Sequence, residues 1–440
     1  MKRPLVMLLL LLAAALAANP TYYPLTTIAE SCVLQGNAPS NTALASLANV
    51  LAATHRGELI AARLYHNSGA LSSPSVEDRF AWHNATSVPT VVFNGNEALV
   101  GAQTEAVYAQ TVAAKRFQAA PVKLQITSFT PASGAISVSA WLLDPNVDIS
   151  GQTLALMLVE DNVGTETNVT RQIKYQTINL PGSGDPVVFT DSFAIDPGWN
   201  QANLWAIAAV QTDVHQILQS ASTLPLPTYN IRAAIPWDPA GLSAAPNTLF
   251  SSETLAIFNT GSFDTMQVLL LPDDAPADWF FNYCDEIGGC YPGDQPLPLV
   301  LGSGDSKEFH LNLWVGSPGT ATFHYEISSP NLGTFTIPFV LQTSTSVSDQ
   351  LLQPALRLES NSPNPFRGST AFQVTAAKSG PASIQVFDAK GRLIAETPVQ
   401  NLGPGSHRID WQAPSGLPSG IYLYRLKDAS APPRRMLLLK

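Results

Sequence analysis

Ser87-Val88-Pro89-Thr90-Val91-Val92-Phe93-Asn94-Gly95 is a short β-branched and aromatic run, entered through a proline and left by an Asn-Gly turn. It reads as a strand, and its surroundings decide what kind of fold it serves. Upstream, residues 25–29 form an apolar strand. Residues 40–53 carry Leu44, Leu47, Val50 and Leu51 at helical spacing. Residues 59–65 read as a second strand and 76–82 as a short helix, and downstream 105–117 reads as a closing helix. Strands alternating with helices predict a small α/β layer fold over residues 19–118.

Beyond Pro121 the helical period fades. Ile136, Val138, Ala140 and Leu142 alternate onto one face, whereas 153–159 and 204–210 are apolar on both faces, as in a sandwich core. Asp144-Pro145, Pro181-Gly182 and Pro197-Gly198 read as turns. Residues 119–228 are therefore expected to form one β-sandwich. Candidate strands at 253–259, 266–271, 308–314, 320–327 and 334–341 predict a second, Ig-like sandwich over 229–342. The polar, Ser/Thr-rich stretch 343–357 reads as a linker, and 358–440 alternates again.

Composition supports this reading. The chain has 440 residues, 13% of them charged and 45% apolar, with 35 Pro and 28 Gly. At roughly 100–200 residues per domain there is room for about three or four domains. Such low charge excludes a disordered tail or a coiled coil. Lys2 and Arg3 precede an unbroken apolar run over 5–18 that includes Ala15-Leu16-Ala17, the pattern of a secretory signal peptide spanning residues 1–18. The run is shorter than the about 20 residues a spanning helix needs. With Lys2 and Arg3 removed, 21 basic and 33 acidic side chains remain. Residues 359–440 hold ten basic and five acidic side chains, and residues 19–358 hold 11 and 28. That change of sign points to a terminal module with its own partner. No Lys/Arg cluster is interleaved with aromatics along the body, so no nucleic-acid surface is expected.

Two parts of the N-terminal segment, Glu30-Ser31-Cys32 and the Val88-Pro89-Thr90 strand entry, resemble a thioredoxin-like domain of the kind attached to outer-membrane proteins of Bacteroidetes-type bacteria. The resemblance covers about 100 residues. It implies that Cys32 opens a helix opposite a cis Pro89. Dithiol exchange needs a second, resolving thiol, and a Cys-x-x-Cys motif would place it at position 35. The residues here are Cys32-Val33-Leu34-Gln35, and Gln35 has no sulfur. Cys32 is then an inert sulfur on a retained scaffold, a monothiol catalyst working with Pro89, or half of an intermolecular disulfide.

Cys284 and Cys290 lie six positions apart around Gly288-Gly289, which lets the chain double back, and in an exported protein a Cys284–Cys290 disulfide is the direct reading. Asp273, Asp274, Asp278, Asp285 and Glu286 crowd nearby without the EF-hand spacing, so they are read as a solvated acidic face, with calcium as the alternative. The seven histidines are scattered; His310 and His324 are candidate strand neighbours, but two ligands do not make a metal site. No Gly-x-Ser-x-Gly elbow, His-Glu-x-x-His or phosphate-binding lysine loop is present. No metal and no cofactor is expected.

The C-terminal segment carries Ser362-Pro363-Asn364-Pro365-Phe366, then Phe387-Asp388-Ala389-Lys390-Gly391-Arg392, then Ser419-Gly420-Ile421-Tyr422, and ends Met436-Leu437-Leu438-Leu439-Lys440. Order, spacing and terminal position resemble the C-terminal sorting domain of the type IX (Por) secretion system, and the pattern is shared with the Ig-like domain of flagellar hook-capping proteins. The turns and strands of the segment read as a compact seven-strand sandwich; the resemblance implies export by the outer-membrane secretion machinery, and then cleavage with attachment to surface lipopolysaccharide or release. The expected whole is multidomain: an α/β thioredoxin-like domain, two β-sandwich domains and an Ig-like sorting domain. Its expected role is that of a secreted or cell-surface, non-enzymatic protein, adhesive or ligand-binding, with the ligand unknown. The alternative is a monothiol thiol-disulfide oxidoreductase using Cys32.

Overall fold

The computed structural model describes residues 20–439 apart from 56, 148, 181–184, 287, 344–355, 377–379, 389–391, 403–404 and 428–433. The expected signal peptide, most of the expected linker, the Pro181-Gly182 turn, Lys390-Gly391 and Lys440 lie outside the described residues.

The N-terminal strands are Thr27–Val33, Leu59–Tyr65, Thr90–Phe93 and Glu97–Val100. Thr27–Val33 runs parallel to Leu59–Tyr65 and antiparallel to Thr90–Phe93, which pairs antiparallel with Glu97–Val100. Helix Ala38–Ala53 starts where the Asn37 side chain accepts the Ser40 N–H, and helix Glu105–Ala113 starts at Thr104 in the same way. Both helices pack on one face of the sheet through Leu47, Val50, Tyr108 and Val112 against Ala29, Leu59, Val91 and Phe93. The third helix, Pro74–Trp82, covers the opposite face.

The expected division at 118/119 does not interrupt the sheet. A single eight-stranded sheet runs in the order 217–222, 204–211, 152–160, 169–178, 59–65, 27–33, 90–93, 97–100. Its two halves join where Val169 pairs in parallel with Arg63. The sheet also bends back on itself, so that the Ile217 N–H donates to the Asn94 carbonyl at 2.9 Å. Helix Pro74–Trp82 sits inside this curl. Its Val76 and Phe80 share one core with Ile28, Cys32 and Leu64 from the first half and Met157, Trp205 and Ile207 from the second. Strands 152–160 and 204–211 are buried on both faces for a physical reason: the outer face packs against a three-stranded sheet of 122–130, 135–142 and 187–192, and the inner face packs on the helix.

Residues 231–343 fold as two packed sheets. One has the order Ile231–Ala234, Leu255–Asn259, Ser306–Val315, Phe280–Asp285, Cys290–Pro292, with Thr248–Ser251 also paired to Ser306–Val315. The other runs Leu242–Ala244, Gly333–Thr343, Thr320–Ser329, Asp264–Asp274, Leu297–Leu301. Between them lies a core rich in aromatics, including Tyr283, Phe309, Phe323, Tyr325 and Phe339. The expected pairing of His310 with His324 does not occur. His310 lies opposite Cys284 in the first sheet, and His324 lies opposite Leu271 and Pro338 in the second.

The C-terminal segment is more finely divided than the seven strands expected. Among the described residues it has a three-stranded sheet (356–362, 369–376, 405–412), a five-stranded sheet (366–367, 434–439, 420–426, 384–388, 393–396) and a two-stranded ribbon (380–382, 400–402). Phe366, Phe372, Trp411, Tyr422 and Tyr424 fill its core. Among the described residues no helix is long and apolar enough to cross a membrane.

Candidate functional site

Cys32 does not open a helix. It lies inside strand Thr27–Val33, six residues before Ala38–Ala53 begins. The local sequence explains this: Thr27-Ile28-Ala29-Glu30-Ser31-Cys32-Val33 is a run that a buried central strand tolerates on both faces, and all seven residues are buried. The backbone turns only after Leu34, and the helix waits for its Asn37 cap. Cys32 therefore lacks the helix N-terminus that would lower a thiol pKa. Its sulfur lies in an apolar core with no exposure. Burial pushes the thiol far up from its ordinary value, the Glu30 carboxylate pushes it further, and Arg79 only partly offsets the two.

Pro89 follows a cis Val88–Pro89 bond, and the next residue, Thr90, is the register partner of Cys32. Pro89 thus stands immediately before strand Thr90–Phe93, whose first residue is paired with Cys32. Gln35, in the turn beyond, offers a backbone N–H to the Ser68 hydroxyl at 3.3 Å.

Two positions from Cys32, on the same face, stands an ionic cluster that sequence reasoning missed. The Glu30 carboxylate is fully buried and receives two hydrogen bonds from Arg79, Nε to Oε1 and Nη2 to Oε2, each 2.7 Å. His83 Nε2 lies 3.3 Å from Glu30 Oε2. Arg79 Nη1 donates to Gln211 Oε1 at 2.5 Å, so one guanidinium ties strand 27–33 to strand 204–211. The same guanidinium lies 3.9 Å from the Trp82 ring centroid, and that ring meets His215 at 4.5 Å. Burial alone would raise the Glu30 carboxyl; the Arg79 charge, followed by His83, outweighs it and holds the group well below the usual carboxylate range. A clue was present in the sequence: Glu30 is the one charged residue in a strand of small and apolar residues, and a buried charge must find a partner.

The structure bonds Cys284 to Cys290. They are directly opposed in the hairpin of Phe280–Asp285 and Cys290–Pro292. The nearby carboxylates are engaged by protein groups: Asp285 by the Gly289 N–H, Tyr291 and Lys307, Glu286 by Lys307, and Asp278 by Ser317. Among the described residues no group of three or more His, Cys, Asp or Glu is placed to hold a metal ion.

In the C-terminal segment the motif residues meet around the last strand. Asn364 Oδ1 accepts the Leu437 N–H at 2.8 Å, and Phe366 pairs in parallel with Leu438. The Ser362–Pro363 and Asn364–Pro365 bonds are cis. The Pro363 carbonyl accepts the Thr370 hydroxyl at 2.7 Å, and Phe366 packs edge-on to Trp411. Gly420 pairs with Leu438, and the Tyr422 hydroxyl donates to the Pro418 carbonyl at 2.8 Å. Asp388 closes its turn by accepting the Arg392 N–H at 2.9 Å and the Arg392 Nε at 2.7 Å. These residues hold the end of the chain against the body of the sandwich.

Comparisons with known proteins bear on this segment. Residues 362–437 match the family model described as a secretion system C-terminal sorting domain. No curated protein matches the chain. Among solved structures, dimeric latent PorU from Porphyromonas gingivalis is similar over 73% of this chain and 34% of its own, at 13% identity and a TM-score of 0.23. Trypsin-activated alpha-2-macroglobulin from Escherichia coli is similar over 79% of this chain and 25% of its own, at 11% identity and a TM-score of 0.17. The secreted serine protease VesC from Vibrio cholerae is similar over 68% and 91%, at 7% identity and a TM-score of 0.21. This chain spans about a third of the PorU chain, and likeness at these TM-scores carries no argument about activity. The match over 362–437 makes this a protein with the C-terminal sorting domain of the type IX (Por) secretion system, marked for export to the cell surface or the extracellular space.

Proposed function

We propose that this chain is an exported, non-enzymatic binding protein of the cell surface. Its N-terminal segment would be a thioredoxin-like scaffold that has lost redox chemistry, its sandwich segments would present binding surfaces, and its tail would be removed after export with attachment to lipopolysaccharide or release. The order 59–65, 27–33, 90–93, 97–100, with helices on both faces, supports the thioredoxin-like reading. The observation that carries the non-enzymatic reading is the setting of Cys32. Its thiol is buried in a strand, pushed toward the protonated form, and has Gln35 where a resolving cysteine would stand.

One observation favours a second reading, a monothiol oxidoreductase: Pro89 is adjacent to the strand partner of Cys32. Insulin reduction and glutathione exchange by wild type and Cys32→Ser separate the two. Equal, background rates support the scaffold; turnover that disappears with the sulfur supports the oxidoreductase.

A further inference from the structure

Strand Ser306–Val315 alternates strictly, with Phe309, Leu311, Leu313 and Val315 turned into the core. Its other residues therefore face outward. Near its end Trp314 is directly opposed on one side by Leu249 and on the other by Phe280. All three side chains are exposed, by 41%, 62% and 62% in that order. An open row of two aromatics and a leucine across three adjacent strands costs solubility and lies outside the core, because the core face of the same strands is already filled by other residues.

Two residues along, the next outward row is polar. Asn312 is opposed by Ser251 and by Asn282. Neither asparagine amide is engaged by another side chain among the described residues. The site is therefore an aromatic ledge spanning two strand spacings, about 10 Å, beside a line of amide and hydroxyl groups that both donate and accept.

The charge pattern selects the partner. No charged side chain stands in either row, whereas residues 19–358 carry 28 acidic and 11 basic side chains. A polyanion such as nucleic acid or a phosphorylated lipid headgroup would be repelled by the body and find no cation in these rows. A neutral polyol fits both rows: sugar C–H faces lie on aromatic rings, and hydroxyls exchange hydrogen bonds with carboxamides. We propose that Leu249, Trp314 and Phe280, with Ser251, Asn312 and Asn282, form a binding site for a neutral glycan chain. This assignment rests on the binding-protein reading above and names the ligand class.

Native gels containing hydroxyethyl cellulose, galactomannan or arabinoxylan, with polygalacturonate as the anionic control, test it on the full exported chain. The expected result is retardation by at least one neutral polymer and none by polygalacturonate. Trp314→Ala should weaken retention about tenfold or more, and Asn312→Ala about three- to tenfold, with cooperative unfolding retained in both variants. Migration unretarded by all three neutral polymers, or retention identical in wild type and Trp314→Ala, overturns the site. So does a concentration-dependent dimer in sedimentation that Trp314→Ala dissolves, because the ledge would then belong to a second copy. A solid-phase adhesion assay on protein-coated wells separates the two levels: adhesion there without glycan retention removes this site and leaves the binding reading standing, whereas failure in both removes both.

Discussion

Glu30 and Arg79 place a charge pair where exposure is zero. Desolvating each ion costs several kcal/mol, and the doubly bonded geometry with Gln211 offsets that cost only while both partners are present. Arg79→Met should therefore cost about 3–5 kcal/mol in chemical denaturation. The double variant Glu30→Gln/Arg79→Met should lose less than the sum of its parts, because removing both charges leaves none unpaired. A loss under about 1 kcal/mol for Arg79→Met would deny the pair its structural role. Because the Glu30 carboxyl is held below its ordinary value, its contribution is complete above about pH 4.3 and disappears as pH falls through the depressed folded value. A denaturation series from pH 6 to pH 2 should show that loss in wild type and much less of it in Glu30→Gln. The raised Cys32 thiol has the opposite sign: the neutral form is favoured, and native chain at pH 8 should react with a disulfide reagent at least about a hundredfold more slowly than chain in denaturant. Fast native labelling would mean the sulfur is accessible. The sequence revealed the missing partner at position 35 plainly, since a residue type can be read directly. It did not reveal the burial of Cys32, which depends on strands 152–160 and 204–211 more than 120 residues away.

Most strands were legible as elements. The alternation at 135–142 predicts the observed strand Ala135–Leu142, because one buried face imposes a period of two on the chain itself, and the unbroken apolar run 204–210 falls within Leu204–Gln211, which is buried on both faces. The position of Cys32 was misread because a family pattern placed a helix start on residues whose own character is that of a buried strand. The small elements around the motifs carry their own expectations. Cys284→Ser should cost about 2 kcal/mol by the loop-closure argument, read as a lowered denaturation midpoint with an unchanged slope. No change would mean that the Gly288-Gly289 hairpin holds without its bond. Asn364→Ala removes the acceptor for the Leu437 N–H. It should cost about 1–2 kcal/mol and speed amide exchange in residues 434–439 more than in strand 369–376. Uniform exchange across both would contradict a clamp on the last strand.

At the scale of the molecule, pairing between distant strands was invisible to sequence reading. Nothing in residues 19–118 announces that strand 59–65 lies beside 169–178, because the junction is made by contacts between residues far apart in the chain: the Val169–Arg63 pairing, the shared helix, the Arg79–Gln211 bond and the Ile217–Asn94 closure. The division expected at 118/119 came from a change in period, which marks where helices stop, while the sheet carries on. The C-terminal module was the reverse case. Its turns, glycines and aromatics occur in a fixed order that can be recognised without knowing what they touch, and the structure supplies the reason: the Pro363–Phe366 corner and the Gly420–Tyr422 strand start both grip the terminal strand. Charge follows the same division, with the acidic body at one end and a basic tail at the other. The decisive measurement is the location of a chain lacking residues 358–440 in a host with the type IX system, assayed by protease added to intact cells. Truncated chain that stays protected inside the outer membrane, while full-length chain is digested at the surface or recovered from the medium, is the expected outcome. Truncated chain reaching the exterior as efficiently as the full-length protein would contradict it.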